Sequence, residues 1–309
     1  MDHPEKEIRH PLVAIICLVY NQENFLRNCL EGFVMQQTNF PFVAIVHDDA
    51  STDGSANIIR EYEAKYPHIF KPIYQTENQY SKPGVSVMRI ASAAAKENGV
   101  KYIAMCEGDD YWTDPKKLQR QVDFLETHSD YSLTTENATR LYLHTHKSEP
   151  FSRRLTGDIQ IDELILTRQF ATASVLYRIE SLQIPQNIKT YDTLLWCLLA
   201  QNGKIHYQDI VSSVYRIGDG VTKKDKIKWA YQIIDLNQSL FSVIKVNKKT
   251  KYIHNKELLA ILLDSSRDAL RRKQYKNSWV LLLHGLKLGI IPWLLLIHQI
   301  ITYKLFNTK

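Results

Sequence analysis

The chain has 309 residues, enough for one large domain or two smaller ones at about 150 residues each. Its 44% hydrophobic and 23% charged residues, with only 11 Gly and 10 Pro, exclude a disordered chain, a collagen-like fibre, a multi-span membrane protein and a low-complexity array. The net charge of +6 hides an asymmetry: residues 1–222 carry 22 Lys and Arg against 28 Asp and Glu, a net of −6, whereas residues 223–309 carry 17 against 5, a net of +12. This predicts different partners for the two parts.

Met1 to His10 is charged and lacks an apolar run, which predicts no secretory signal and an intracellular protein. Val13 to Val19 is continuously apolar and rich in β-branched residues, the pattern of a strand buried on both faces. From Glu23 to Gln37 the period becomes helical, with Phe25, Leu26, Cys29, Leu30, Phe33 and Val34 on one side. Phe42 to Val46 reads as a second buried strand, and Asp53-Gly54-Ser55 introduces a second helix. Phe70 to Tyr74 is a third strand, Val85 to Lys96 an Ala-rich helix and Tyr102 to Cys106 a fourth strand. Asp114-Pro115 predicts the next helix start, with Asp as N-cap and Pro at the first position. This alternation implies an α/β fold with a mostly parallel sheet covered by helices. Ligands of such sheets bind beyond the carboxyl ends of the strands.

Between 131 and 220 the signals are shorter: strands at Tyr131–Thr135, Ala173–Arg178 and Ile210–Arg216, and a helix at Asp192–Ala200. After 222 the pattern is helical, at Lys226–Val243, Lys256–Arg272 and Tyr275–Leu288, followed by an apolar segment from Ile290 to Phe306. The four cysteines, Cys17, Cys29, Cys106 and Cys197, form no C-x-x-C pair and read as buried, reduced thiols.

Two acidic loops stand out. The second strand runs into His47-Asp48-Asp49-Ala50-Ser51-Thr52-Asp53-Gly54-Ser55, and the fourth into Glu107-Gly108-Asp109-Asp110-Tyr111-Trp112. Carboxylates crowded at one sheet edge repel each other unless a cation neutralises them, and hard divalent cations take oxygen ligands. Mg²⁺ or Mn²⁺ held by one or two carboxylates and substrate phosphates is the expected arrangement. The Asp48–Asp53 stretch also suits a plain turn and helix cap.

Leu18-Val19-Tyr20-Asn21, then Asp48 through Ser55, then Glu107-Gly108-Asp109-Asp110 resemble, in order and spacing, the signatures of family-2 glycosyltransferases over residues 10–220. Glu77 through Lys82, with Glu107 through Leu118, resembles a bacterial surface-polysaccharide subgroup. The resemblance implies a GT-A fold, a nucleotide-diphosphate sugar donor, a divalent metal and inversion. It implies that Tyr20 and Asn21 line the base pocket, that Asp49 accepts a hydrogen bond from the base, and that Ser51 and Asp53 shape the same turn. It assigns Asp109 to the metal, Glu107 to the ribose or sugar side and Asp110 to the donor sugar. Arg89 falls where the family places an Arg near the diphosphate, though it also reads as a solvated helix residue. Inversion needs a base for the acceptor hydroxyl. The resemblance points to Asp192 in Tyr191-Asp192-Thr193-Leu194-Leu195-Trp196, which could equally be a helix N-cap.

Two departures from the family pattern are Leu18-Val19 where Pro-Thr is common, and Tyr215-Arg216-Ile217-Gly218-Asp219-Gly220, which lacks the His of a Tyr-Arg-x-His element. Residues 1–222 thus read as the catalytic domain and 223–309 as a basic helical region. Its apolar stretch Ile290–Ile301 is too short and interrupted for a membrane span and suits an interfacial helix flanked by Trp293 and Lys304; the alternative is a helical subdomain with its own core or one packed on the catalytic domain. No helix-turn-helix, zinc or RRM-type signal accompanies the basic charge, which argues against nucleic acid. The expected partners are a nucleotide sugar, a glycan or lipid-linked acceptor, and the inner face of the plasma membrane. A nucleotidyltransferase is the competing enzyme class, though Tyr20-Asn21-Gln22-Glu23 is no Gly-rich phosphate loop. A non-catalytic binding module is the other alternative.

Overall fold

The computed structural model describes residues 10–82, 85–185, 191–218 and 225–288. Met1 to Arg9, Asp219 to Lys224 and the apolar segment from Ile290 to Phe306 lie outside the described residues. The chain divides into two compact units, Met1–Gly218 and Asp219–Lys309.

The first unit is built on one mixed sheet. Strands β1 (Val13–Val19), β2 (Phe42–Asp48), β3 (Ile73–Tyr74) and β4 (Tyr102–Met105) form its parallel part, in spatial order β3-β2-β1-β4. The sheet continues through β9 (Val175–Arg178), β6 (Tyr131–Tyr142), β10 (Lys204–Ile217) and β5 (Tyr111–Trp112). β9 is antiparallel to both β4 and β6, while β6 and β10 run parallel. The short strands β7 (Ser148–Pro150) and β8 (Gly157–Ile159) pair outside this row, with β6 and β10. Most of the paired length is parallel, as the sequence predicts.

Side chains alternate across a strand, and both sets of β1 are buried. Val13, Ile15, Cys17 and Val19 share one core with α1 (Glu23–Val34), α2 (Ser55–Lys65) and α4 (Lys117–Thr127). Ala14 and Ile16 are buried on the opposite face, where α3 (Val87–Glu97) packs on β1 and β2. In α1 the buried Leu26, Cys29, Leu30 and Phe33 recur at helical spacing. All four cysteines are free and buried, and the Cys29 sulfur lies 3.9 Å from those of both Cys17 and Cys106.

Several boundaries differ from the sequence reading. α4 begins at Lys117, not at Pro115; Asp114 instead closes the preceding turn, its carboxylate accepting from the Lys116 amide at 2.9 Å. β3 shrinks to two residues, with Phe70 held by an isolated bridge to Ala44. Pro72, which has no amide to donate, separates them. β6 extends to Tyr142 because its polar Thr135 and Asn137 find buried partners. β10 starts at Lys204, and irregularities between Gln208 and Ser213 break the alternation that would have revealed it. The remaining helices of this unit are α5 (Ile161–Leu166) and α6 (Asp192–Gln201).

The second unit holds α7 (Lys226–Val243), α8 (Lys248–Arg271) and α9 (Tyr275–Leu286). α8 starts eight positions before the predicted Lys256. Asn247 caps it, its side chain accepting from the Thr250 amide at 2.8 Å, and its polar first turns hide the apolar period. Ala230, Ile234, Leu258, Leu262 and Leu281 form the core of this unit. No helix among the described residues is long and apolar enough to cross a membrane.

Candidate functional site

The carboxyl ends of β1, β2 and β4 lie side by side, and the loops that leave them are laced together. Asn21, after β1, adopts the left-handed conformation at φ 53°, which Asn tolerates. Its amide donates to Ser51 Oγ at 3.0 Å, and its Oδ1 accepts from the Thr52 amide at 2.8 Å. Asp53 accepts from the Glu23 and Ser55 amides at 3.1 and 3.0 Å. Ser51, Asp53 and Asn21 thereby latch the two loops together. Tyr20 stands about half exposed at the rim. Asp49 is buried, and its two carboxylate oxygens accept from the Gln79 and Tyr80 amides at 2.7 and 3.0 Å. It thereby anchors the 77–82 segment to the end of β2.

The loop after β4 carries the acidic cluster. Glu107, Asp109 and Asp110 place carboxylate oxygens within 4.8 Å of one another. Gly108 makes this possible, since a Cβ there would fall 2.3 Å from Gln22 Oε1, 3.1 Å from Val19 Cγ2 and 3.2 Å from Leu26 Cδ1. Burial first, then the neighbouring acids Asp192, Asp109 and Asp110, push the Glu107 carboxyl well above its usual range. Burial likewise raises Asp109. Burial and the Asp109 charge push Asp110 up to about 8. Asp110 Oδ2 is buried without a hydrogen-bond partner. Three crowded carboxyls, one with an orphaned oxygen, fit a hard divalent cation better than they fit each other. Asp110 itself faces inward at 1% exposure, held by the Arg216 amide at 2.8 Å.

Asp192 opens α6 at its first helical position. Tyr191 is the N-cap, and no side-chain capping bond is made, so the capping alternative does not describe Asp192. Its Oδ2 accepts from Thr172 Oγ1 at 2.8 Å and lies 3.8 Å from Arg168 Nη2. Burial first, then the Asp192 charge, raise both Glu107 and Tyr80. Arg89 points elsewhere: its guanidinium donates to the Pro185 carbonyl, in the wall of a cavity of about 210 Å³ that Ile103, Ile179 and Leu182 also line.

Sequence reasoning did not single out Arg168, Thr172 or Tyr80. A lone Arg in an irregular stretch after α5 gives no periodic or motif signal. Arg216 was named only for the His missing after it. Its guanidinium donates to the Asp109 carbonyl at 2.7 Å and stacks 4.4 Å over the Tyr111 ring, so it clamps the acidic loop from β10.

Residues 14–178 match the family described as glycosyl transferase family 2. An uncharacterised protein of Mycobacterium tuberculosis is 37% identical over 212 residues, covering 66% of this chain and 58% of that protein. The chain thus spans under two thirds of the length of that relative. The putative teichuronic acid biosynthesis glycosyltransferase TuaG of Bacillus subtilis is 27% identical over 64% of this chain and 75% of its own. Among solved structures, S. aureus TarS 1–349 in complex with UDP-GlcNAc aligns with a TM-score of 0.62 at 16% identity, covering 88% of this chain and 81% of that one. The mannosyltransferase PcManGT from Pyrobaculum calidifontis, in complex with GDP-Man and Mn²⁺, aligns with a TM-score of 0.56 at 15% identity, covering 97% and 82%. At these identities the likeness concerns the fold, which is of the GT-A type. With more than half of the chain inside the family match, this protein belongs to glycosyl transferase family 2.

Proposed function

We propose that residues 1–222 transfer a sugar, with inversion, from a nucleotide-diphosphate sugar to an acceptor hydroxyl in bacterial polysaccharide synthesis. The observation that carries this reading is the Glu107–Asp109–Asp110 cluster, three carboxylates close enough to share a cation, with a further carboxylate, Asp192, near enough for its charge to act on Glu107. Tyr20 stacks on the nucleobase from the rim, and Asn21, Ser51 and Asp53 keep the loops beneath it in place. Asp49 offers the base its remaining lone pairs while holding the 77–82 segment. Asp109 would hold Mg²⁺ or Mn²⁺, with Glu107 beside it toward the ribose or sugar side; Asp110, buried and held by the Arg216 amide, would back them rather than reach the donor sugar. The cation, when bound, neutralises charge on the departing diphosphate. The resemblance alone proposes Arg89 as the cation for the diphosphate; its guanidinium donates to the Pro185 carbonyl. Asp192 takes the proton of the acceptor hydroxyl as its oxygen bonds to the anomeric carbon, opposite the breaking bond to the diphosphate.

The +12 region is a peripheral contact for anionic lipid, which would bring the enzyme to a lipid-linked acceptor. The face of α9 supports this: Tyr275, Trp279 and Leu283 recur every four residues and are exposed, with Lys276 and Lys287 exposed at either end.

Nucleotide release from UDP-GlcNAc and GDP-mannose, with and without Mn²⁺, tests the activity. Metal-dependent UDP or GDP release is the expected result. Pyrophosphate release from UTP or GTP supplied with a sugar 1-phosphate, without UDP or GDP release from the nucleotide sugars, would make the chain a nucleotidyltransferase, and binding without any release would make it a sugar-nucleotide-binding module.

A further inference from the structure

Asp192 is poorly placed to hold itself. Its side chain is 43% exposed, it caps nothing, and it sits within the repulsive field of Glu107. A short chain of hydrogen bonds compensates. Arg168 Nη2 donates to Thr172 Oγ1 at 3.1 Å, and Thr172 Oγ1 donates to Asp192 Oδ2 at 2.8 Å. The direction is consistent throughout: the guanidinium polarises the hydroxyl, and the hydroxyl grips one carboxylate oxygen. Among the described residues no side chain is recorded on Oδ1, the oxygen free to meet an acceptor hydroxyl.

Arg168 is itself fixed at its other nitrogen. Nη1 donates to the Tyr215 hydroxyl at 2.9 Å, and the guanidinium lies 4.7 Å over the Tyr215 ring. The next residue, Arg216, holds the Asp109 carbonyl and the Asp110 carboxylate. Two adjacent residues at the end of β10 therefore grip the acidic loop and the base from one piece of backbone.

We propose that Arg168, acting through Thr172, is the positioning residue for the Asp192 carboxylate, and that Tyr215 fixes Arg168 so that base and metal loop keep a set spacing. This rests on Asp192 being the base. Thr172 is not among the acids that could hold a cation, so its loss misplaces one oxygen without removing a ligand, whereas the Arg168 charge also acts on Glu107, Asp109 and Asp110. Misplacement of a reacting group by about 1 Å costs on the order of 100-fold in rate.

The test uses the full chain with Mn²⁺ and follows UDP release from UDP-GlcNAc and GDP release from GDP-mannose. Thr172→Val should lower kcat by roughly 10- to 100-fold while KM for the nucleotide sugar and the melting temperature stay put, and Arg168→Gln should lower kcat at least as far. Thr172→Ser, which keeps the hydroxyl, should recover most of the rate. Wild-type kcat in Thr172→Val, or an equal loss in Thr172→Ser, overturns the brace. Asp192→Asn separates the two claims: transfer surviving in that variant sinks the base itself, whereas a dead Asp192→Asn beside fully active brace variants sinks only the brace. Crystal structures give a readout independent of turnover. The Asp192 carboxylate should rotate away in Thr172→Val, and an unmoved carboxylate overturns the proposal.

Discussion

The Arg216 amide donates to the Asp110 carboxylate at 2.8 Å across 106 positions of sequence. That bond joins the last long strand of the first unit to the acidic loop, and it leaves the second Asp110 oxygen buried and unpartnered. The loop is fixed at one Asp110 oxygen and left unsatisfied at the other.

Asp192→Asn should abolish sugar transfer, by about 10²- to 10⁴-fold, the contribution of a general base. Nucleotide binding should survive, because Asp192 touches the acceptor side. Calorimetric titration of UDP or GDP, run beside nucleotide release, checks both halves; transfer near the wild-type rate would refute the assignment.

Without metal, stability should fall as pH rises from about 4 to about 8. The Asp110 carboxyl has its folded value raised from 3.8 to about 8. The fold therefore favours its protonated form, and that advantage disappears as pH climbs through the folded value. Buried Lys117 has the opposite sign: burial lowers it from 10.5 to about 8, so stability returns as pH rises from about 8 to about 10.5. Melting temperatures across pH should show a minimum near 8, which Mn²⁺ relieves. Asp110→Asn should flatten the acid side and Lys117→Met the alkaline side; a profile unchanged in both variants would contradict this account.

Gly108→Ala should destabilise the chain by about 1–3 kcal/mol, the usual cost of overpacking, and weaken Mn²⁺ binding. The added methyl meets Gln22 Oε1 first, with Val19 and Leu26 behind it. The double variant Gly108→Ala/Gln22→Ala should recover part of the loss. Thermal melts with and without Mn²⁺ measure both effects, and a fully stable single variant would show that the loop yields more than its packing implies.

Trp279→Ala should loosen binding to vesicles containing anionic lipid while leaving the melting temperature unchanged, since the side chain is 60% exposed. Lys276→Glu and Lys287→Glu should act in the same direction, at about 1 kcal/mol for each basic charge removed near the surface. Co-sedimentation with such vesicles at low and high salt provides the measurement. Equal binding by all variants would remove α9 from the interface.

The parallel part of the fold was readable because continuous apolar runs and helical periods mark buried strands and their covering helices. Glu107 and Asp109 were readable because acids placed abruptly after an apolar strand have few structural uses. Asn21 also bonds Ser51 and Thr52, a loop-to-loop relation invisible in one dimension. Arg168 was missed for the same reason. Its meaning comes from Tyr215 and Thr172, one 47 positions away, and no local pattern announces such a partner. Asp114 looked like a cap because Asp-Pro commonly is one; the chain spends one more turn before α4 begins.

The distance between Asp110 and Arg216 also has a consequence in time. A ribosome adding roughly 5–20 residues per second needs about 5–20 s to synthesise the residues between them. Through that interval the nascent chain can pair β1 with β2 and β4 but cannot close the site. The acidic loop waits in water, ionised and unclamped, until Tyr215 and Arg216 emerge. The parallel shelf of β1, β2 and β4 can therefore stand before its clamp exists, and chains truncated before β10 would carry the acidic loop without the Arg216 grip.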